Sequence, residues 1–176
     1  MIWLARHGET AYNAVRRFQG QGAVGLNDRG REQARALAET AAGHGFASLW
    51  CSPLARARET ADIVAARIGL EPIEDARLME TDAGDWTGRM FAEVEAEDPE
   101  RFGAFLVADE RFAFPGGESF AAQRERVCAA LDDIRDAGPW PALVVCHRNS
   151  MRLALERHLG RQLSLDEVPN GTLVAM

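Results

Sequence analysis

Two histidines stand next to arginines, and each pair closes an apolar run: Arg6-His7 follows Ile2-Trp3-Leu4-Ala5, and His147-Arg148 follows ALVVC at 142–146. A third run, SLWC at 48–51, delivers Ser52 and then Arg56 four residues further on. These residue types do not make a metal site, because no His-x-x-x-His or His-carboxylate spacing joins them. They suit a phosphoryl group. A guanidinium offers planar, paired donors that match phosphate oxygens, and Arg56 falls in the first turn of an expected helix, where free backbone N–H groups favour an anion. All 20 strongly basic side chains are arginine, so guanidinium is the one such cation available for gripping an anion. Gly8 is expected to let the backbone bend sharply after His7.

These groups can meet only if the runs are neighbouring strands that point the same way. Short apolar runs bounded by turn chemistry read as strands of a sheet covered on both faces. Amphipathic stretches separate them. Asn27 can cap a helix burying Ala34, Leu37, Ala38 and Ala41, and a second helix after Ser52 carries Leu54, Ala57, Ala61, Val64 and Ile68 on one face, with Gly69 as its stop. A third runs from about Ser119 to Ile134, a fourth covers NSMRLALERHLG, and GTLVAM reads as a last strand. Alternating strands and helices predict an α/β fold, a three-layer α/β/α arrangement with a mostly parallel sheet, and in such sheets ligands bind at the carboxyl edge of the strands. Residues 80–118 break the alternation. They hold Trp86, Phe91, Phe102, Phe105, Phe112 and Phe114 among many acids and read as a lid-like insertion over that edge of a single domain spanning 1–176.

Composition narrows the function. The chain has 176 residues, 47% of them apolar, and a net charge of −7, which argues against a nucleic-acid binder. Without a membrane-length apolar run or a leader peptide at the start, a cytoplasmic location is expected. Cys51, Cys128 and Cys146 lack metal or redox-pair spacing and read as reduced, packed thiols.

Taken in order, the motifs resemble the histidine phosphatase superfamily in its phosphoglycerate mutase-like branch. RHGETAYN (6–13), FQG (18–20), CSPLARARETA (51–61), METDAGDWTG (79–88), PGGES (115–119) and VVCHRNSMRLAL (144–155) are each similar to a segment of that family, and together they cover nearly the whole chain. The resemblance implies a phosphomonoesterase without a cofactor, acting on a small-molecule phosphomonoester. His7 would attack phosphorus and become phosphohistidine, with its other ring nitrogen tied to a backbone carbonyl. Arg6, Arg56 and a protonated His147 would surround the equatorial oxygens, while Asn13, Gln19 and Gly20 line the pocket. Glu80 would protonate the leaving alkoxide and then activate water, ahead of Glu9 and Glu118. Trp86 could be a pocket wall or core packing.

Three departures from the family stand out. Arg148 replaces the usual glycine after the second histidine and can add a cation at the rim. QGAVGLND follows Gly20 in place of Asp-x-Pro-Leu-Thr, and Met79 stands where arginine is common. Residues 80–118 carry eleven acids against three arginines, which favours hydrolysis over a phosphoglycerate mutase that must hold a strongly anionic ligand. The aromatics of that segment suggest a nucleoside-like phosphate such as α-ribazole phosphate, and a sugar phosphate fits equally. The alternative from another class is a catalytically silent phospholigand-binding module, which the joint presence of His7, Glu80 and His147 disfavours.

Overall fold

The computed structural model describes residues 1–176. Five strands, β1 (Ile2–Arg6), β2 (Ser48–Cys51), β3 (Pro72–Glu74), β4 (Ala142–Cys146) and β5 (Leu173–Ala175), form one sheet in the order β3-β2-β4-β1-β5. β1, β2, β3 and β4 run parallel, and β5 joins β1 antiparallel, closing the edge. Seven helices accompany them: α1 (Ala11–Ala14), α2 (Asp28–Ala42), α3 (Ala55–Ile68), α4 (Phe91–Glu97), α5 (Pro99–Leu106), α6 (Phe120–Ala137) and α7 (Arg148–Leu159). None is long and apolar enough to cross a membrane.

Strand alternation builds the layers. Ile2, Leu4, Val144 and Cys146 point to one face, where they pack with Val127, Leu131 and Ile134 of α6 and Met151 and Leu155 of α7. Ala5, Leu49, Cys51, Leu143 and Val145 point to the other and meet Leu37 and Ala41 of α2 and Ala57, Ala61 and Val64 of α3. Asn27 caps α2 through Gly30 N, and Gly69 ends α3 in the left-handed conformation, as expected. The mostly parallel α/β sandwich follows the pattern of apolar runs. Two strands do not: β3 is a mostly exposed three-residue edge strand, and β5 is antiparallel.

Residues 80–118 contain α4, α5 and two turns, and their aromatics form a core from which Phe91, Phe105 and Phe114 also line the cleft described below. Trp86, Phe102, Phe105, Phe112 and Phe114 are buried against one another and against Phe18 and Phe120 in a separate core. Trp86 is core packing and does not reach the cleft described below. The three cysteines are buried and free, and burial pushes the Cys51 and Cys146 thiols up to about 12.

Candidate active site

Parallel register brings the strand ends level. Arg6 lies opposite Cys146, His7 N donates to Cys146 O at 3.1 Å, and Ser52 N donates to Val145 O at 3.0 Å, so the residues that follow β1, β2 and β4 emerge together. A cleft of about 480 Å³ forms there, lined by Arg6, His7, Asn13, Gln19, Gly20 and Arg56, with Glu80 and Arg148 also on its wall. His147 does not line it. Its ring lies behind the surface, fully buried, with its centroid 5.1 Å from that of His7.

His7 is 2% exposed, and its Nδ1 lies 2.7 Å from Gly8 O. A carbonyl can only accept, so Nδ1 carries the proton and Nε2 keeps its lone pair. Burial, then Arg56 and Arg6, holds the imidazole well below the usual histidine range. Burial, then Arg56, pushes the His147 imidazole well below the usual histidine range too. Ser52 Oγ accepts from Leu54 N at 3.2 Å and lies 2.8 Å from His147 Nε2. His147 Nδ1 is buried without a partner.

The role of Gly8 also differs from expectation. A Cβ at Gly8 would fall 2.2 Å from Gly30 O, and one at Gly30 would fall 2.0 Å from Glu9 O. The two glycines therefore let the loop after β1 lie directly against the start of α2, and a sharp bend is not what the position requires. Asn170 Nδ2 donates to His7 O at 2.9 Å, fixing the same loop from the end of the chain.

The arginines are held by backbone carbonyls and not by carboxylates. Arg6 Nη1 donates to Val168 O at 2.6 Å, and Arg56 donates to Gly20 O at 2.7 Å and Gly22 O at 3.1 Å. Each keeps a buried Nε–H without a partner. Part of the Arg56 fork thus shapes the loop after Gly20, whose sequence departs from the family pattern, and the remaining donors face the site. Burial lowers the Arg56 guanidinium to about 10. Asn13 and Gln19 are tied through Thr10, whose hydroxyl bonds Gln19 Oε1 at 2.8 Å while its N–H bonds Asn13 Oδ1 at 3.1 Å.

Glu80 sits across the cleft in a clamp that the sequence did not reveal. Its Oε1 accepts from Thr81 N at 2.9 Å and Gln123 Nε2 at 3.1 Å, and its Oε2 from Asn149 N at 3.3 Å. Gln123 is fully buried and also donates to Ser150 Oγ, while its Oε1 accepts from Thr81 Oγ1. Arg126 binds the carbonyls of Arg77, Met79 and Glu80 and pairs with Glu118 at 2.7 Å, which accounts for Glu118 away from the cleft. Glu9 is likewise occupied, by Asn27 and Arg29. The missed residues are polar positions on helices and bare carbonyls, which leave no signature in a sequence.

The family model of the histidine phosphatase superfamily (branch 1) matches residues 2–173. The chain belongs to the histidine phosphatase superfamily. This histidine phosphatase is 35% identical over 163 residues to phosphoserine phosphatase 1 of Hydrogenobacter thermophilus, covering 92% of this chain and 77% of that one. It is 39% identical over 160 residues to phosphoglycerate mutase-like protein 4 of Arabidopsis thaliana, covering 89% and 70%. Its structure is similar to that of a mycobacterial glucosyl-3-phosphoglycerate phosphatase solved with VO3, with a TM-score of 0.87 and 30% identity over 98% of this chain and 90% of the other. Membership and these phosphatase relatives make the protein a phosphatase enzyme.

Proposed function

We propose that this phosphatase hydrolyses a small-molecule phosphomonoester, a sugar phosphate or a nucleoside-like phosphate, through a phosphohistidine on His7. The observation that carries this is the 2.7 Å bond from His7 Nδ1 to Gly8 O, which leaves Nε2 nucleophilic in the cleft that Arg6, Arg56 and Glu80 also line. The Nε2 lone pair attacks phosphorus, the P–O bond to the alcohol breaks, and the Glu80 carboxyl gives its proton to the departing oxygen. Water then attacks the phosphohistidine, the resulting Glu80 carboxylate takes its proton, and the P–N bond breaks to release inorganic phosphate. Charge develops on the three equatorial oxygens. The free donors of Arg6 and Arg56 are preorganised to meet it, and the arriving dianion favours a protonated His147 behind His7. Asn13, Gln19 and Gly20 shape the pocket, and Arg148 borders it.

The test is a chemical trap with a leaving-group comparison. Labelled substrate quenched without acid should give protein-bound label that is stable to base, labile to acid and absent from His7→Ala. Glu80→Gln should lower kcat/KM for an alkyl phosphate by about 10²–10⁴-fold and that for p-nitrophenyl phosphate far less, since p-nitrophenolate departs without a proton. Label retained in active His7→Ala overturns the nucleophile, and equal losses on the two esters overturn the acid. Running the reaction with and without 2,3-bisphosphoglycerate separates hydrolysis from mutase activity.

A further inference from the structure

The arginines in this chain are almost all occupied, and those that are not lie together. Through their side chains Arg16, Arg17, Arg35 and Arg148 make neither a hydrogen bond nor an ion pair, whereas the other arginines hold carboxylates or carbonyls. Arg35 is remote, but Arg16, Arg17 and Arg148 line a second, wider cleft of about 1620 Å³. It is continuous with the site at His7, because Asn13, Arg17, Phe91 and Arg148 line both. The Nε–H groups of Arg17 and Arg148 are buried without partners. Arg148 opens α7 beside His147.

Burying donors without acceptors costs free energy, and three neighbouring guanidinium groups repel one another. No carboxylate is paired with them. Glu80 and Asp166 lie close enough to act on Arg148 electrostatically, and Glu95 stands on the cleft wall, but none of them pairs with these arginines. The positions are nonetheless fixed. Arg17 packs over the Tyr12 ring at 5.3 Å, and Arg16 holds a left-handed backbone with φ of 51°, which an arginine rarely adopts. Phe91, Phe102 and Leu106 add apolar lining to the cleft.

We infer that this cleft receives the alcohol portion of the substrate and that this portion carries a second anionic group, a carboxylate or a phosphate, bound by Arg148 and Arg17 with Arg16 at the mouth. The inference rests on the phosphatase reading above and narrows it, favouring an acidic alcohol over a neutral nucleoside-like one.

The experiment compares 3-phosphoglycerate with glycerol 3-phosphate, which differ at one carbon as carboxylate against hydroxymethyl, and adds 1,3-propanediol bisphosphate and p-nitrophenyl phosphate. One of the two probes with a second acidic group should exceed glycerol 3-phosphate in kcat/KM by at least about tenfold, or about 1.4 kcal/mol. Preference for 3-phosphoglycerate assigns a carboxylate and preference for the bisphosphate a phosphate. Arg148→Gln should cut that preference about tenfold, mainly by raising KM for the acidic ester, and Arg16→Gln, on an exposed turn, should cut it by a smaller factor in the same direction. Turnover of p-nitrophenyl phosphate with no preference for either acidic ester overturns the second anion site alone, as does a preference that survives both substitutions. No hydrolysis of any ester overturns the phosphatase mechanism and this inference with it.

Discussion

Replacing Gln123 by Met tests whether a residue that never touches substrate sets the acid. Gln123 is fully buried on α6, and methionine matches its length without its polar groups. The change removes the 3.1 Å bond to Glu80 Oε1, the 3.1 Å bond to Ser150 Oγ and the bond accepted from Thr81. Thr81 Oγ1 still accepts from Asn149 Nδ2 and can turn its hydrogen to Glu80 Oε1, 3.4 Å away, and Ser150 Oγ still donates to Met79 O, so neither hydroxyl is orphaned. The carboxylate is left with two backbone N–H donors, from Thr81 and Asn149. A hydrogen bond to a charged group is worth about 1.5–3 kcal/mol, which as lost orientation corresponds to about 10- to 150-fold in rate. The assay is kcat/KM on an alkyl phosphate and on p-nitrophenyl phosphate. In the proposed mechanism that parameter reports steps through phosphoryl transfer to His7, so a later activation of water by Glu80 does not enter it. The alkyl ester should lose that factor and p-nitrophenyl phosphate little, with a thermal melt confirming the fold. Equal losses on both esters, or no loss on either, would refute positioning of Glu80 through Gln123.

Two further outcomes follow from the packing. His7 and His147 are held neutral in the folded protein, whereas in the unfolded chain both bind protons below about pH 6.5, so stability is full above that pH and falls as pH drops below it, by about 1.4 kcal/mol per pH unit for each ring. Denaturant unfolding in phosphate-free buffer should show this slope, His147→Asn should make it shallower, and an unchanged slope in that variant would remove His147 from the account. Gly30→Ala drives a methyl group into Glu9 O, costing about 1–3 kcal/mol and lowering Tm by about 2–4 °C for each, with activity falling as the Gly8 carbonyl shifts under His7. Gly43→Ala, whose added carbon would meet nothing nearer than Thr40 O at 3.5 Å, is the control and should leave Tm unchanged.

The legible part of the site was the part that strands deliver. Arg6, His7, Ser52 and His147 follow apolar runs, and once those runs are parallel neighbours no other arrangement of their ends is open. Val168 O, Gly20 O and Gly22 O hold the arginines as backbone acceptors, which any residue would supply, so the sequence is silent about them. Gln123 reads as one polar position among several on a helix, and only its burial separates it from the rest. The Phe and Trp residues of 80–118 were visible, but hydrophobicity does not say whether an aromatic faces a ligand or its neighbours: Trp86 and Phe112 face only their neighbours, whereas Phe91, Phe105 and Phe114 also line the cleft. β3 escaped because Pro72-Ile73-Glu74 at a sheet edge buries too little to need an apolar run.

The bond between Arg6 and Val168 spans 162 positions of sequence, and that from Asn170 to His7 spans 163. During synthesis the first strand leaves the ribosome long before β4 exists to flank it, and its arginine waits longer still for the carbonyl that anchors it. A nascent chain can therefore assemble α2 and α3 early, yet it cannot carry a finished phosphate site until the last turn before β5 has been made. A partial chain lacks both of these anchors, and a substitution of Asn170 should act on the loop at His7 from the far end of the polypeptide.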